Sequence, residues 1–126
     1  MKRISTNNAP KAIGTYSQGT IVGNLVFTSG QIAINAKTGK LVNDDFIKEV
    51  LQVLKNIESI LIAGGSSKSN IIKLSVFMID LTKFDKVNKA FEIFFDSNTN
   101  FPSRSTIEVS KLPMNVNIEI EAIGLI

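Results

Sequence analysis

The strongest constraint on the fold is the stretch from Asp44 to Ala63. Phe46, Val50, Val53, Leu54, Ile57, Ile60 and Leu61 recur there at helical spacing, with Lys48, Glu49, Gln52, Lys55, Asn56 and Ser59 between them. That period predicts an amphipathic helix with a single apolar stripe. Asp44 and Asp45 stand at its start, where the helix dipole favours negative charge, and Gly64-Gly65 ends it. A helix this long needs a second layer on which to bury its stripe.

The flanking segments supply that layer. Thr20 to Val22 and Leu25 to Thr28 are apolar β-type runs joined by Gly23-Asn24, which reads as a tight hairpin. Asn35 to Lys40 reads as a second turn. Asn70 to Asp80 predicts a strand, with Ile72, Leu74, Val76 and Met78 on an apolar face and Lys73 and Ser75 interrupting the other. Thr82-Lys83-Phe84-Asp85 resembles a capping box with Asp in place of Glu. It opens a second helix to about Asp96, with Phe84, Val87, Phe91 and Phe94 on one face. Ser103 to Val109 and Val116 to Leu125 complete the strands. Val116, Ile118, Ile120 and Ala122 share one face of the last, so Glu119 and Glu121 point the other way.

Hairpin, helix, strand, helix, strand, strand predicts one α+β domain over residues 1–126, a mixed sheet with two helices packed on one face. The other sheet face mixes polar with apolar positions. In so small a domain, such a face is expected to bury itself against another subunit.

Composition narrows the chemistry. The 126 residues include no cysteine and no histidine. This excludes disulfides, thiolate nucleophiles and cysteine-ligated zinc, and removes the commonest general base near neutral pH and the commonest metal ligand. Catalysis must come from carboxylates, Arg, Lys, Tyr, hydroxyls, amides or the backbone. The net charge of +3 comes from scattered lysines, so contact with nucleic acid is permitted but not expected. No apolar run approaches the roughly 20 residues that span a bilayer, and Met1 to Ile13 lacks the apolar core of a secretory signal. A cytoplasmic protein without metal or cofactor is the expectation. P-loop, dinucleotide and nucleophile-elbow motifs are absent.

Few residues are left to carry a site. Arg104 lies on a strand with Thr106 and Glu108 on its face. It is either a surface arginine paired with a carboxylate or a guanidinium fork for an anionic substrate. Glu119, between Ile118 and Ile120, is either solvent-facing or a partly desolvated carboxylate able to orient water. Glu121 shares its face, and periodicity does not choose between them. Asn88 lies at the edge of an apolar helix face, where a buried amide would need partners. Tyr16, the only tyrosine, sits in a loop from Gly14 to Gly19 and offers either packing or an aromatic wall with a hydroxyl. Ser29-Gly30-Gln31 is either a strand-ending turn or a hydroxyl and open backbone presented to a ligand.

Several blocks together resemble the RidA/YjgF family: Ala9-Pro10 with Ala12 to Gln18, Thr28 to Ile32, Val76 to Leu81 through Asn88, Phe101-Pro102-Ser103-Arg104-Ser105 through Val109, Lys111-Leu112-Pro113, and Ile118 to Ala122. They span nearly the whole chain in order. The resemblance implies a chorismate-mutase-like subunit, a homotrimer with active sites in the clefts between subunits, and cofactor-free hydrolysis of 2-aminoacrylate and related 2-imino acids to 2-keto acids and ammonia. It implies that Arg104 holds the substrate carboxylate and that Glu119 positions water and assists proton transfer. Tyr16, Ser29, Gly30 and Asn88 would line or order the pocket. Thr106 departs from the pattern, since many relatives carry cysteine there; backbone contacts from that position survive the change and thiol chemistry does not. Alternatives within the resemblance are an RNA-directed endoribonuclease or translation inhibitor, and a non-catalytic binder of small ligands.

Overall fold

A computed structural model describes residues 1–96 and 100–126. Eight elements follow in order: β1 (Lys2–Ile4), β2 (Gly19–Val22), β3 (Leu25–Thr28), α1 (Phe46–Ala63), β4 (Ile71–Met78), α2 (Phe84–Phe95), β5 (Ser103–Glu108) and β6 (Ile118–Leu125). The strands make a six-stranded sheet in the order β1-β2-β3-β6-β4-β5. Only β4 and β5 pair in parallel, and α2 is their crossover. The mixed sheet with two helices on one face matches the architecture expected from the sequence.

Helix α1 starts where Asp45 caps it, its carboxylate accepting the Lys48 N–H at 2.9 Å. It ends at Gly64, with Gly65 at φ 86°. Its stripe of Val50, Val53, Leu54, Ile57, Ile60 and Leu61 is fully buried against the sheet residues Val26, Leu74, Val76, Met78, Ile118 and Ile120. Truncating such a residue, Leu54 for example, to Ala is expected to cost about 2–5 kcal/mol.

Some local expectations are corrected. Glu49 and Asn56, read as polar positions between the apolar ones, are each only 1% exposed. Glu49 accepts both the backbone N–H and the side-chain amide of Asn117, at 3.0 and 2.9 Å. Asn56 donates to the carbonyls of Ile32 and Ile34. Ile72 is 45% exposed rather than in the apolar face, because a register shift between Ile71 and Lys73 turns Ile71 inward instead. No capping box forms at Thr82: Asp80 accepts the Thr82 N–H in a short 3-10 turn, and Lys83 precedes α2 without a side-chain cap. The buried face of α2 is Val87, Ala90, Phe91 and Phe95, not Phe84 and Phe94. The three-residue edge strand β1 is too short to leave a periodic signal.

Candidate active site: an arginine cleft and a glutamate cleft

The arginine half is built by α2 and the edge strand β5. Arg104 pairs in register with Leu74, a core residue, so its side chain lies on the helix-covered face of the sheet. There it meets Phe84, Asn88 and Phe91, which the helical repeat stacks on one side of α2. The guanidinium carbon is 5.0 Å from the centroids of both phenyl rings, and Nη2 donates to Asn88 Oδ1 at 2.8 Å. Among the described residues no carboxylate pairs with it. Burial pushes its pKa down, although a guanidinium stays charged at physiological pH. The cleft in front of it holds about 430 Å³ and is lined by Asn88, Phe91, Glu92, Phe101, Pro102 and Arg104. Phe95, edge-on to Phe101 at 6.1 Å, backs that wall.

The glutamate half lies at the end of β3. Glu119 follows Ile118 into the sheet and pairs with Phe77, on the face that the helices leave open. Its carboxylate rests directly on Gly30, whose missing side chain makes the room. Desolvation, and secondarily the charge of Glu121, raises its pKa. Ile13, Tyr16, Ser29, Gly30, Ile32, Pro113 and Glu119 line a cleft of about 380 Å³. Glu121 is exposed and borders a different depression beside Lys73 and Ser75, so tertiary structure separates two glutamates that periodicity could not.

Hydrogen bonds fix the second cleft's rim. Ser29 Oγ donates to the Ser17 carbonyl at 2.6 Å and Ser29 N–H to the Gln18 carbonyl at 2.9 Å. The Tyr16 hydroxyl accepts the Ile13 N–H at 3.2 Å. Gln18, which sequence reading passed over, is buried. Its amide accepts the Thr6 N–H and donates to the Pro10 carbonyl, both at 2.7 Å, stapling residues 6–10 beneath the Tyr16 loop. A lone glutamine before a strand carries no sequence signal that separates it from a surface residue.

The two clefts share no lining residue, and Arg104 and Glu119 stand on opposite faces of one sheet. Asn88 joins Arg104, while Tyr16, Ser29 and Gly30 join Glu119. Thr106 lies on the Arg104 side, in register with Val76, but its hydroxyl is buried with no hydrogen-bond partner among the described residues and borders neither cleft.

An α+β chain that presents, on one sheet face, a guanidinium without a carboxylate partner among the described residues and, on the other, a partly desolvated carboxylate defines a class of small domain with a candidate cleft on each side of its sheet. The comparisons give this class its family. The endoribonuclease L-PSP family model matches residues 6–126. The 2-iminobutanoate/2-iminopropanoate deaminase of Escherichia coli strain K12 is 47% identical over 125 residues, covering 98% of this chain and 97% of its own. The crystal structure of the Escherichia coli YjgF gene product superposes with a TM-score of 0.94 at 46% identity, covering 99% and 98% of the two chains. That of Escherichia coli TdcF with bound serine reaches 0.95 at 41% identity, covering 100% and 99%. The chain belongs to the RidA/YjgF, or endoribonuclease L-PSP, family. Among the described residues no helix is long and apolar enough to cross a membrane.

Proposed function

We propose that this protein hydrolyses 2-imino acids and their enamine tautomers to 2-keto acids and ammonia. The observation that carries the reading is Arg104: a partly desolvated guanidinium, braced by two rings and a neutral amide, in the wall of an open cleft. A 2-imino acid offers the carboxylate such a fork grips through two charge-assisted hydrogen bonds. Nearly full-length similarity to a deaminase of 2-iminobutanoate and 2-iminopropanoate supports the same substrate class, and the serine bound to TdcF is a small amino acid of matching size.

The chemistry asks little of the protein. An enamine takes a proton on its β-carbon to become the imine. Water then adds to the C=N carbon as one of its protons passes to the nitrogen; a second proton reaches the nitrogen, the C–N bond breaks as the hydroxyl gives up its proton, and ammonia leaves a 2-keto acid. Glu119, with its pKa raised, holds the water and passes the protons; a positioned group of this kind contributes about 10²–10⁴-fold. Tyr16 and Ser29 border the reacting carbon, Gly30 leaves room for the carboxylate, and Asn88 fixes the arginine.

Because Arg104 and Glu119 face away from each other within one chain, a working site takes Arg104 from one copy and Glu119 from a neighbour. A ring of three copies closes such contacts, with the open sheet face (Phe27, Phe77, Ile107 and Ile123) turned inward. A cytoplasmic trimer of this kind would clear reactive enamines released by other enzymes. The test is release of 2-oxobutanoate from 2-iminobutanoate generated in situ, with and without protein. Acceleration lost in Arg104→Ala supports the reading; no acceleration, or full activity in Arg104→Ala, ends it.

A further inference from the structure

We infer that Phe84 and Phe91 are positioning residues for substrate binding: by holding the Arg104 guanidinium over two ring faces instead of beside a carboxylate, they reserve its charge for the substrate. The inference rests on the carboxylate-gripping role of Arg104 given above.

The geometry separates this arrangement from ordinary core packing. Phe84 is the first residue of α2 and is 38% exposed, so the hydrophobic effect alone does not require a ring there. Its ring nonetheless stands as close to the guanidinium carbon as that of the buried Phe91, 5.0 Å in each case. Asn88, lying between them along the helix, takes one N–H of Nη2. One helix face therefore offers arginine two π clouds and one neutral acceptor. Glu92, the next residue after Phe91, lines the same cleft without pairing with Arg104.

The more an arginine is buried, the more often it is paired with a counter-ion, and Arg104 is partly buried without one among the described residues. A carboxylate partner would hold the side chain equally still, but a substrate would have to displace it. Aromatic faces stabilise the cation without neutralising it, and they leave the in-plane N–H edges open to a bidentate carboxylate. Without a ring, the guanidinium has water or Glu92 to turn to, and either competes with substrate.

The expected effect is on binding rather than turnover. With each cation–π contact worth about 0.5–2 kcal/mol, Phe84→Leu and Phe91→Leu are each expected to weaken binding of 2-oxobutanoate, the keto-acid product, by roughly 2- to 30-fold. KM for 2-iminobutanoate should rise in step while kcat stays within about twofold. Tyrosine at either position keeps the ring and should restore binding. The experiment is calorimetric titration of 2-oxobutanoate into the assembled wild type, Phe84→Leu, Phe91→Leu, Phe91→Tyr and Arg104→Ala, with steady-state kinetics on the same samples and a melting curve for each. Leucine variants that bind like wild type, or that lose kcat with KM unchanged, overturn the inference. So does failure of Phe91→Tyr to bind better than Phe91→Leu. If Phe91→Leu does not fold, the half-exposed Phe84→Leu decides alone. Undiminished binding in Arg104→Ala instead removes the carboxylate site itself, an outcome distinct from failure of the rings to matter.

Discussion

The Glu119 carboxylate lies against the α-carbon of Gly30, so that a β-carbon there would overlap Oε1 and come within 2.9 Å of the carboxyl carbon. Gly30 does not have a positive φ, so alanine is conformationally allowed; close approach alone demands glycine. Gly30→Ala is therefore expected to fold, because the obstructed group is a movable side chain, but to push Glu119 off its place. Activity should fall about as far as in Glu119→Gln, by roughly 10²–10⁴-fold. A folded Gly30→Ala enzyme with normal kcat in the 2-iminobutanoate assay would disprove it.

Glu119 also sets a pH dependence. Burial first, and Glu121 second, raise its pKa above the ordinary 4.5. If the ionised form accepts the proton from water, the acid limb of kcat/KM lies above that value, and Glu121→Gln shifts it downward by the smaller, electrostatic part. The folded state holds this proton more tightly than the unfolded chain. Stability from this group is thus complete below the unfolded pKa and is lost as pH rises through the folded one. Glu119→Gln is accordingly expected to melt higher than wild type at pH 7 and no higher at pH 4. Melting curves at the two pH values check the sign.

The proposed site, with Arg104 from one copy and Glu119 from its neighbour in a trimer, predicts complementation. Arg104→Ala and Glu119→Gln should each be inactive alone. Unfolded together and reassembled in equal amounts as trimers, they should regain about one quarter of wild-type activity, the chance that a cleft draws its arginine from one variant and its glutamate from the other. No recovery in a mixture that sizing shows to be co-assembled would mean that the site does not span two copies.

Thr106 carries a hydroxyl that is buried without a partner among the described residues. Such a group destabilises, and an apolar isostere removes the penalty. Thr106→Val is expected to stabilise by about 1 kcal/mol, or about 3–5 °C in Tm for a domain of this size. Because the hydroxyl borders neither cleft, KM and kcat should stay within twofold. A large rise in KM instead would place the hydroxyl at the substrate.

Sequence alone was enough for elements whose own period declares them. The α1 stripe, the Gly23-Asn24 hairpin and the alternation of β6 each bury one face whatever they pack against, so their patterns are local. Features depending on a partner distant in the chain were misread or missed. Glu49 looks like a surface residue until Asn117 arrives to meet it. Phe84 looks like core until Arg104 takes its ring, and the bulge that turns Ile72 outward is a property of its pairing with β6. Composition and periodicity leave Arg104 and Glu119 as candidates beside other readings; the resemblance to the RidA/YjgF family is what assigns them the carboxylate and proton-transfer roles and prefers Glu119 to Glu121. The placing of that glutamate in its own cleft, on the sheet face opposite Arg104, belongs to tertiary structure. A strand's alternation says which residues share a face, whereas strand order and helix placement decide which face meets what.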